Sequence, residues 1–405
     1  MKKVLTIISC FLFLMINVCA EELGPVEEGD VVTQTVNKEE KSSDISLAQN
    51  ASSAILIDAS TGEILFEKNP HEKMAPASMT KMMSMLVIME AIESKIIGWN
   101  DIITISENAS NMGGSQILLE IGEQMSVYDL FKGVAVASGN DAVVALAENV
   151  AGTEEEFVKM MNNKAKELGL KDTNFKNVHG LDDANHYSSA YDMAMIAKEL
   201  VKHEKIFEFT SIYEDYLRKG TDREFWLVNT NKLVRFYTGV DGLKTGYTSE
   251  AGYCLTATAK KNDMRLIAVA MGEPSSTNRN ADITSMLDYG FAQYKTTNII
   301  KKTEVVTNVE VLKGKKEYVD IVPKIDVSIL SKKTDKLGKI TYEVKLNKIK
   351  APIKKGTIVG QLIIKEDNKK IKEVDLTVKE SIKKANILEL YIRYLKDIII
   401  GNIKF

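Results

Sequence analysis

Three short patterns in this 405-residue chain place groups that could do chemistry near one another. Ser78 and Lys81 stand three apart in Pro76-Ala77-Ser78-Met79-Thr80-Lys81, ahead of a strongly apolar stretch over 82–94. On a helix both side chains project from one face. Burial at a helix start depresses a lysine's pKa, and a neutral amine can take a serine's proton. An N-cap serine with a solvated lysine makes the same pattern, and Ser381-Ile382-Lys383-Lys384 repeats it. Ser138 and Asn140 flank Gly139 on a turn between two expected helices and can point into one cleft. A plain helix end with Gly139 left-handed is the alternative, and Ser106-Glu107-Asn108 and Ser276-Thr277-Asn278 share the spacing. Lys244-Thr245-Gly246 precedes an alternating apolar run over 253–259. There a lysine and a hydroxyl can hold a carboxylate while the glycine lets a substrate approach the backbone.

The elements that must position these residues follow from pattern. A hairpin is expected from 53–58 and 64–66 around Ser60-Thr61-Gly62. The 82–94 stretch reads as a buried helix, 102–105 as a strand and 111–115 as a turn. Ser126-Val127-Tyr128-Asp129 is a capping box opening a helix to 136, and Asp141 starts another to about 150. Thr153 caps a helix to 169, 177–182 is a loop, and 189–203 is a helix. His179 reads as an organiser of that loop, with acid–base work as the alternative. Strands are expected over 253–259 and 265–271, and Arg279 precedes an amphipathic helix over 281–294.

Composition bounds the rest. A net charge of −3, 44% hydrophobic and 27% charged residues describe an ordinary globular protein with no nucleic-acid footprint. Met1-Lys2-Lys3, the apolar run 4–18 and the small-residue site Val18-Cys19-Ala20 read as a signal peptide over 1–20, so the mature chain is expected to be exported. The polar, acidic segment 21–50 reads as a disordered spacer. Removing the signal leaves Cys254 alone, hence no internal disulfide, and its apolar setting suits an inert thiol. His71, His179, His186 and His203 show no ligand spacing, so neither a metal nor a cofactor is expected. From about 297 the chain turns to short Lys-, Val- and Ile-rich alternating segments, read as a small β-domain over 297–380. In 381–405 the apolar residues Leu388, Tyr391, Ile392, Leu395, Ile398 and Ile399 share a helix face opposite Glu389, Arg393, Lys396 and Asp397. With five basic and two acidic residues, this helix is expected to lie in a membrane interface. Packing on the β-domain is the alternative.

In fixed order, Ser78-x-x-Lys81, Ser138-x-Asn140 and Lys244-Thr245-Gly246 resemble the signature of penicillin-binding proteins and serine β-lactamases. The wider matches Ser138-Gly139-Asn140-Asp141-Ala142, His179-Gly180-Leu181 and Asp241-Gly242-Leu243-Lys244-Thr245-Gly246 narrow this to the low-molecular-mass penicillin-binding proteins. These are the serine-type D-alanyl-D-alanine carboxypeptidases of peptidase family S11. The resemblance implies an α/β (α+β) fold over 51–296, an antiparallel sheet flanked by helices with an all-helical lobe, followed by the small all-β domain. It implies that Ser78 attacks the carbonyl between two terminal D-alanines of a peptidoglycan stem peptide, with Lys81 as base and Ser138 as proton relay. Asn140 would bind substrate backbone and brace Lys81. Lys244, Thr245 and Gly246 would face the cleft, and Arg279 would help hold the terminal carboxylate. The backbone N–H groups of Ser78 and Tyr247 would form the oxyanion hole, Tyr247 standing where relatives often carry His. β-Lactams would be covalent inhibitors, and a membrane surface the partner of the terminal helix. A class A β-lactamase lacks its glutamate-bearing loop here. An endopeptidase of peptidoglycan crosslinks and a catalytically silent wall-binding scaffold are the remaining alternatives.

Overall fold

The computed structural model describes residues 46–400, so the expected signal peptide, most of the expected spacer and residues 401–405 lie outside the described residues. A five-stranded antiparallel sheet organises the first and larger part of the described chain, in the order Ile64–Lys68, Ser53–Asp58, Met264–Glu273, Gly252–Lys261, Val240–Thr248. The expected hairpin forms the first two strands. Ser53–Asp58 pairs on both sides and is buried throughout, whereas its edge partner Ile64–Lys68 is partly exposed. Side chains alternate between the two faces. Ile55, Ile57, Ile267, Val269 and Met271 join the core on the helical-lobe side. Ala54, Leu56, Leu266, Ala268 and Ala270 join a second core, against Ile283, Met286 and Leu287 of the helix Ser276–Gln293. Ala48 and Ala51 also lie in that second core. The end of the expected spacer is therefore packed, because two alanines cover the sheet there.

While Leu233 packs into the second core, most of the chain between the hairpin and Val240 builds the helical lobe. Its centre is Lys81–Glu93, preceded by a single 3-10 turn, Ala77–Thr80. Every residue from Lys81 to Met89 is buried, because the helices Asn140–Ala151, Glu154–Glu167 and Ala190–Leu200 all pack on it. A helix apolar all round suits only such a place, and each fully buried Met, Leu or Ile there is worth roughly 1.5–3 kcal/mol. The helix expected over 126–136 differs in detail. It is α-helical over Val127–Lys132, capped by Ser126, and continues as a π-helical turn, Gly133–Ala137. The wider turn shifts the residues after it relative to an unbroken α-helix. Gly133 packs against Ile117, which a Cβ would approach to 2.9 Å.

Beyond Ile300, six strands between Thr307 and Val378 form a second sheet, and Tyr294–Ile300 pairs with Val327–Lys332. This part has its own core, including Val311, Ile321, Leu362 and Leu376. Ile382 belongs to it as well, since a β-bridge to Ile353 draws the chain past residue 380 back onto the sheet. Thr296 Oγ1, on the strand Tyr294–Ile300, donates to Asp58 Oδ2 at 2.9 Å and ties that strand to the end of Ser53–Asp58. The last helix, Ile387–Ile400, leaves Ile387, Leu388, Tyr391, Ile392, Ile398 and Ile399 exposed. No helix among the described residues is long and apolar enough to cross a membrane.

Candidate active site

The segment that carries Ser78 is set by close backbone packing. Ala77 sits left-handed at φ 45° just before Ser78, a costly conformation for a residue with a Cβ. Two glycines make the approach possible. A Cβ on Gly180 would fall 1.9 Å from the Ala77 carbonyl oxygen, and Gly180 itself has φ +90°. A Cβ on Gly246 would meet Pro76 O at 2.8 Å and Ala77 Cβ at 3.1 Å. The strand Val240–Thr248 therefore runs directly beside Ser78.

Ser78 and Lys81 do share a face. Lys81 Nζ lies 3.0 Å from Ser78 Oγ and donates to the His179 carbonyl at 2.7 Å. Lys81 is completely buried. Burial, reinforced by the charge of Lys244, holds its pKa well below the ordinary lysine range. With one N–H on the His179 carbonyl, the lone pair of the neutral amine is free to accept the Ser78 hydroxyl proton.

The turn between helices also meets the cleft, and it is not the plain helix end that was the alternative. The left-handed residue is Ser138, at φ 66°, and not Gly139, which has φ −53°. The π turn ends there and the next helix opens at Asn140, so Ser138 must make the reversal. Its Oγ is buried without a hydrogen-bond partner, as is Asn140 Oδ1. Asn140 Nδ2 donates to Gly113 O at 2.7 Å, so the brace on Lys81 comes from the His179 carbonyl instead. Asp141 holds the neighbouring rim, accepting from the N–H groups of Ile117 and Leu119.

Lys244 and Arg279 supply positive charge. Lys244 is fully buried and Arg279 is 5% exposed. Lys244 Nζ donates to Thr245 O at 3.1 Å, and Arg279 donates to Asn280 Oδ1 at 3.2 and 3.0 Å. Burial, then the charge of Arg279, pushes the Lys244 pKa down to about 7. Two buried cations that repel each other favour an anion between or beside them. Arg279 lies inside the first turns of the helix Ser276–Gln293, which Ser275 caps; it does not precede the helix, because that cap starts it five residues earlier than the apolar pattern indicates. Thr245 Oγ1 donates to Thr230 Oγ1 at 2.8 Å. Tyr247 is 56% exposed and packs on Tyr253, ring centroids 4.3 Å apart.

His179 and Gly180 act through their backbone. His179 Nδ1 accepts from Leu181 N–H at 3.1 Å, and Thr248 Oγ1 donates to Asp182 at 2.7 Å. His186 accepts from Lys176 N–H through Nδ1 and contacts Thr80 Oγ1 at 2.8 Å through Nε2. This loop fixes the carbonyl that orients Lys81. Spacing alone carries no sign of Thr230 or His186 at the site, because each arrives from a separate stretch of chain, whereas Asp141 follows Asn140 directly and travels with that motif.

A comparison with known families fits this geometry. The D-alanyl-D-alanine carboxypeptidase family, peptidase S11, matches residues 36–275. The chain belongs to that family. The C-terminal domain of penicillin-binding protein 5 matches residues 294–384, the region of the second sheet. D-alanyl-D-alanine carboxypeptidase DacF of Bacillus subtilis is 52% identical over 352 residues, 87% of this chain and 90% of the relative. The crystal structure of penicillin binding protein 5 from Haemophilus influenzae aligns with a TM-score of 0.65 at 35% identity, over 83% of this chain and 98% of that one. Penicillin-binding protein D2 of Listeria monocytogenes, in its ampicillin-bound form, aligns with a TM-score of 0.55 at 29% identity over 61% of this chain and 99% of that one. The S11 chain is thus an enzyme of the penicillin-binding protein class, with a mixed α/β catalytic domain followed by a β-domain.

Proposed function

We propose that this S11 enzyme removes the terminal D-alanine from peptidoglycan stem peptides through an acyl-enzyme on Ser78. The observation that carries this is the 3.0 Å contact between Ser78 Oγ and the buried Lys81 amine. In the first step Ser78 Oγ attacks the carbonyl carbon of the penultimate D-alanine and its proton passes to Lys81 Nζ. The backbone N–H groups of Ser78 and Tyr247 receive the oxyanion, each worth ~3 kcal/mol in the transition state. The C–N bond then breaks, and Ser138 Oγ relays a proton to the departing amine. Water attacks the acyl carbon, gives its proton back through Ser138 and Lys81, and Ser78 regains its own. Asn140 Oδ1 suits a substrate amide N–H. Lys244, Arg279 and Thr245 suit the terminal carboxylate, and Gly246 leaves room for the peptide to lie along the strand.

Intact-protein mass after penicillin, followed by D-alanine release from a peptide ending in D-Ala-D-Ala, tests this reading. A covalent adduct together with release is expected. An adduct without release favours the endopeptidase, and no adduct favours the silent scaffold.

The same reading puts the enzyme outside the cytoplasmic membrane. The basic and apolar N-terminus supports export, which an N-terminus at Glu21 in the mature protein would establish. The exposed apolar residues of Ile387–Ile400, beside Lys383, Lys384 and Arg393, support adsorption to a membrane surface. Truncation after Asn386 is expected to abolish co-sedimentation with liposomes; unchanged sedimentation overturns that attachment.

A further inference from the structure

A pair of acids stands behind the cations of the cleft. Glu273 ends the strand Met264–Glu273, is 1% exposed, and has no hydrogen-bond donor on either carboxylate oxygen. The side chain within its reach is another acid, Asp282, one turn beyond Arg279 on the helix Ser276–Gln293. Asp282 is 7% exposed, and its Oδ2 accepts the Asn50 N–H at 2.9 Å. Two buried carboxyl groups in contact hold a proton between them. Glu273, which accepts no hydrogen bond on either oxygen, is the member of the pair that holds the proton. Arg279, whose side chain donates to Asn280 Oδ1, is close enough for its charge and that of Glu273 to act on each other.

We propose that Glu273 is a positioning residue that governs how firmly Arg279 holds the substrate's terminal carboxylate: protonated against Asp282 it leaves the guanidinium to the substrate, and ionised it competes for it. This rests on the role of Arg279 proposed above. The groups facing Glu273 are Asp282 and Arg279 from the helix, Lys68 from the hairpin, and, from the neighbouring strand, Cys254 and the cross-strand partner Tyr253. Burial, then Asp282, pushes the Glu273 pKa up to about 8, against the opposing charges of Lys68 and Arg279. Cys254 contributes no charge there, since burial raises its thiol to about 11. Lys244, at about 7, also titrates in this cleft, as does Lys81, which burial and then the charge of Lys244 hold well below the ordinary lysine range.

The test is kcat and KM for a D-Ala-D-Ala peptide from pH 6 to 9.5, with the full enzyme. In the wild type KM is expected to change near pH 7 with Lys244, then to climb above pH 8 towards about tenfold per unit, the limit for one proton, with kcat unaffected by the second limb. Glu273→Gln removes the upper limb and keeps the lower one. Asp282→Asn places an amide donor beside Glu273, favours its anion and moves the upper limb to lower pH. An upper limb unchanged in Glu273→Gln, or one carried by kcat, overturns the inference. Should Glu273→Gln melt below the assay temperature, an unmoved limb in Asp282→Asn does the same. Wild-type enzyme that releases no D-alanine at any pH overturns the carboxypeptidase reading and this inference together. Turnover with a KM indifferent to Glu273 overturns the inference alone.

Discussion

Ser78–Lys81 and Ser381–Lys384 carry the same spacing, and the molecule treats them in opposite ways. Ser381 Oγ accepts from Lys355 N–H at 2.8 Å, and Lys384 is exposed beside a bridge to Gly314. That serine is an ordinary turn residue and that lysine stands in water. Lys81 instead enters a helix enclosed by three others, with its amine between a serine and a carbonyl. The Ser-x-Asn pairs divide similarly. Ser106 Oγ accepts from Ala109 N–H and donates to Glu148, and Asn108 also donates to Glu148, so the cap is satisfied. Ser138 Oγ and Asn140 Oδ1 are left open. Burial without a partner separates this Ser-x-Asn copy from the structural one, since a buried, unsatisfied polar group calls for an explanation such as a bound substrate or water.

Substitutions at the two copies sharpen this contrast. Ser78→Ala is expected to abolish the penicillin adduct in the mass spectrum with an unchanged circular dichroism spectrum; labelling retained in that variant would sink the nucleophile assignment. Lys81→Arg keeps the charge but cannot give up its proton, so the acylation rate is expected to fall by roughly 10²–10⁴. A variant within twofold of wild type would mean that a neutral Lys81 is not the base. Gly180→Ala drives a Cβ into the Ala77 carbonyl and displaces the loop that orients Lys81. A loss of about 10² in acylation is expected from such a misplacement, and unchanged kinetics would show that the loop does not position the amine.

Acid should weaken the same support. Burial is the main cause holding His179 at about 3 and His186 at about 4, below the ordinary 6.5. Both histidines are neutral when folded and take a proton more readily when unfolded. Their contribution to stability is therefore complete above pH 6.5 and is lost as pH falls towards 4 and then 3. Tm is expected to drop across that window and to drop less in His186→Gln; parallel curves would exclude His186. The smallest effect is reserved for the other copy. Ser381→Ala and Lys384→Met should change stability by less than about 0.5 kcal/mol and leave D-alanine release intact, and a catalytic defect in either would erase the distinction drawn here.

Much of the fold was legible from local pattern. The hairpin, the apolar helix after Lys81, the capping boxes at Ser126 and Thr153 and the change of composition near 297 all depend on neighbours in sequence, and all appear as elements. The errors fell where a local pattern has two solutions. A plain helix end would make Gly139 the left-handed residue, and the π turn hands that conformation to Ser138 instead. Arg279 was expected ahead of its helix, but the Ser275 cap places it inside.

The chain alone shows which residues could react: a serine three from a lysine, a serine and asparagine about a glycine, and a lysine, threonine and glycine at a strand's edge. Their order along the chain also points to a family. That they meet is a result of folding. It brought the His179 carbonyl to Lys81 across a separation of 98 residues, and ran Gly246 past Ala77 closely enough to exclude a side chain. It also placed Glu273 and Asp282 behind Arg279. The physical reason is that the electrostatics of this site depend on the removal of water from Lys81, Lys244 and Arg279. Spacing records which groups are present, and burial, a property of the whole packed chain, decides whether they carry charge.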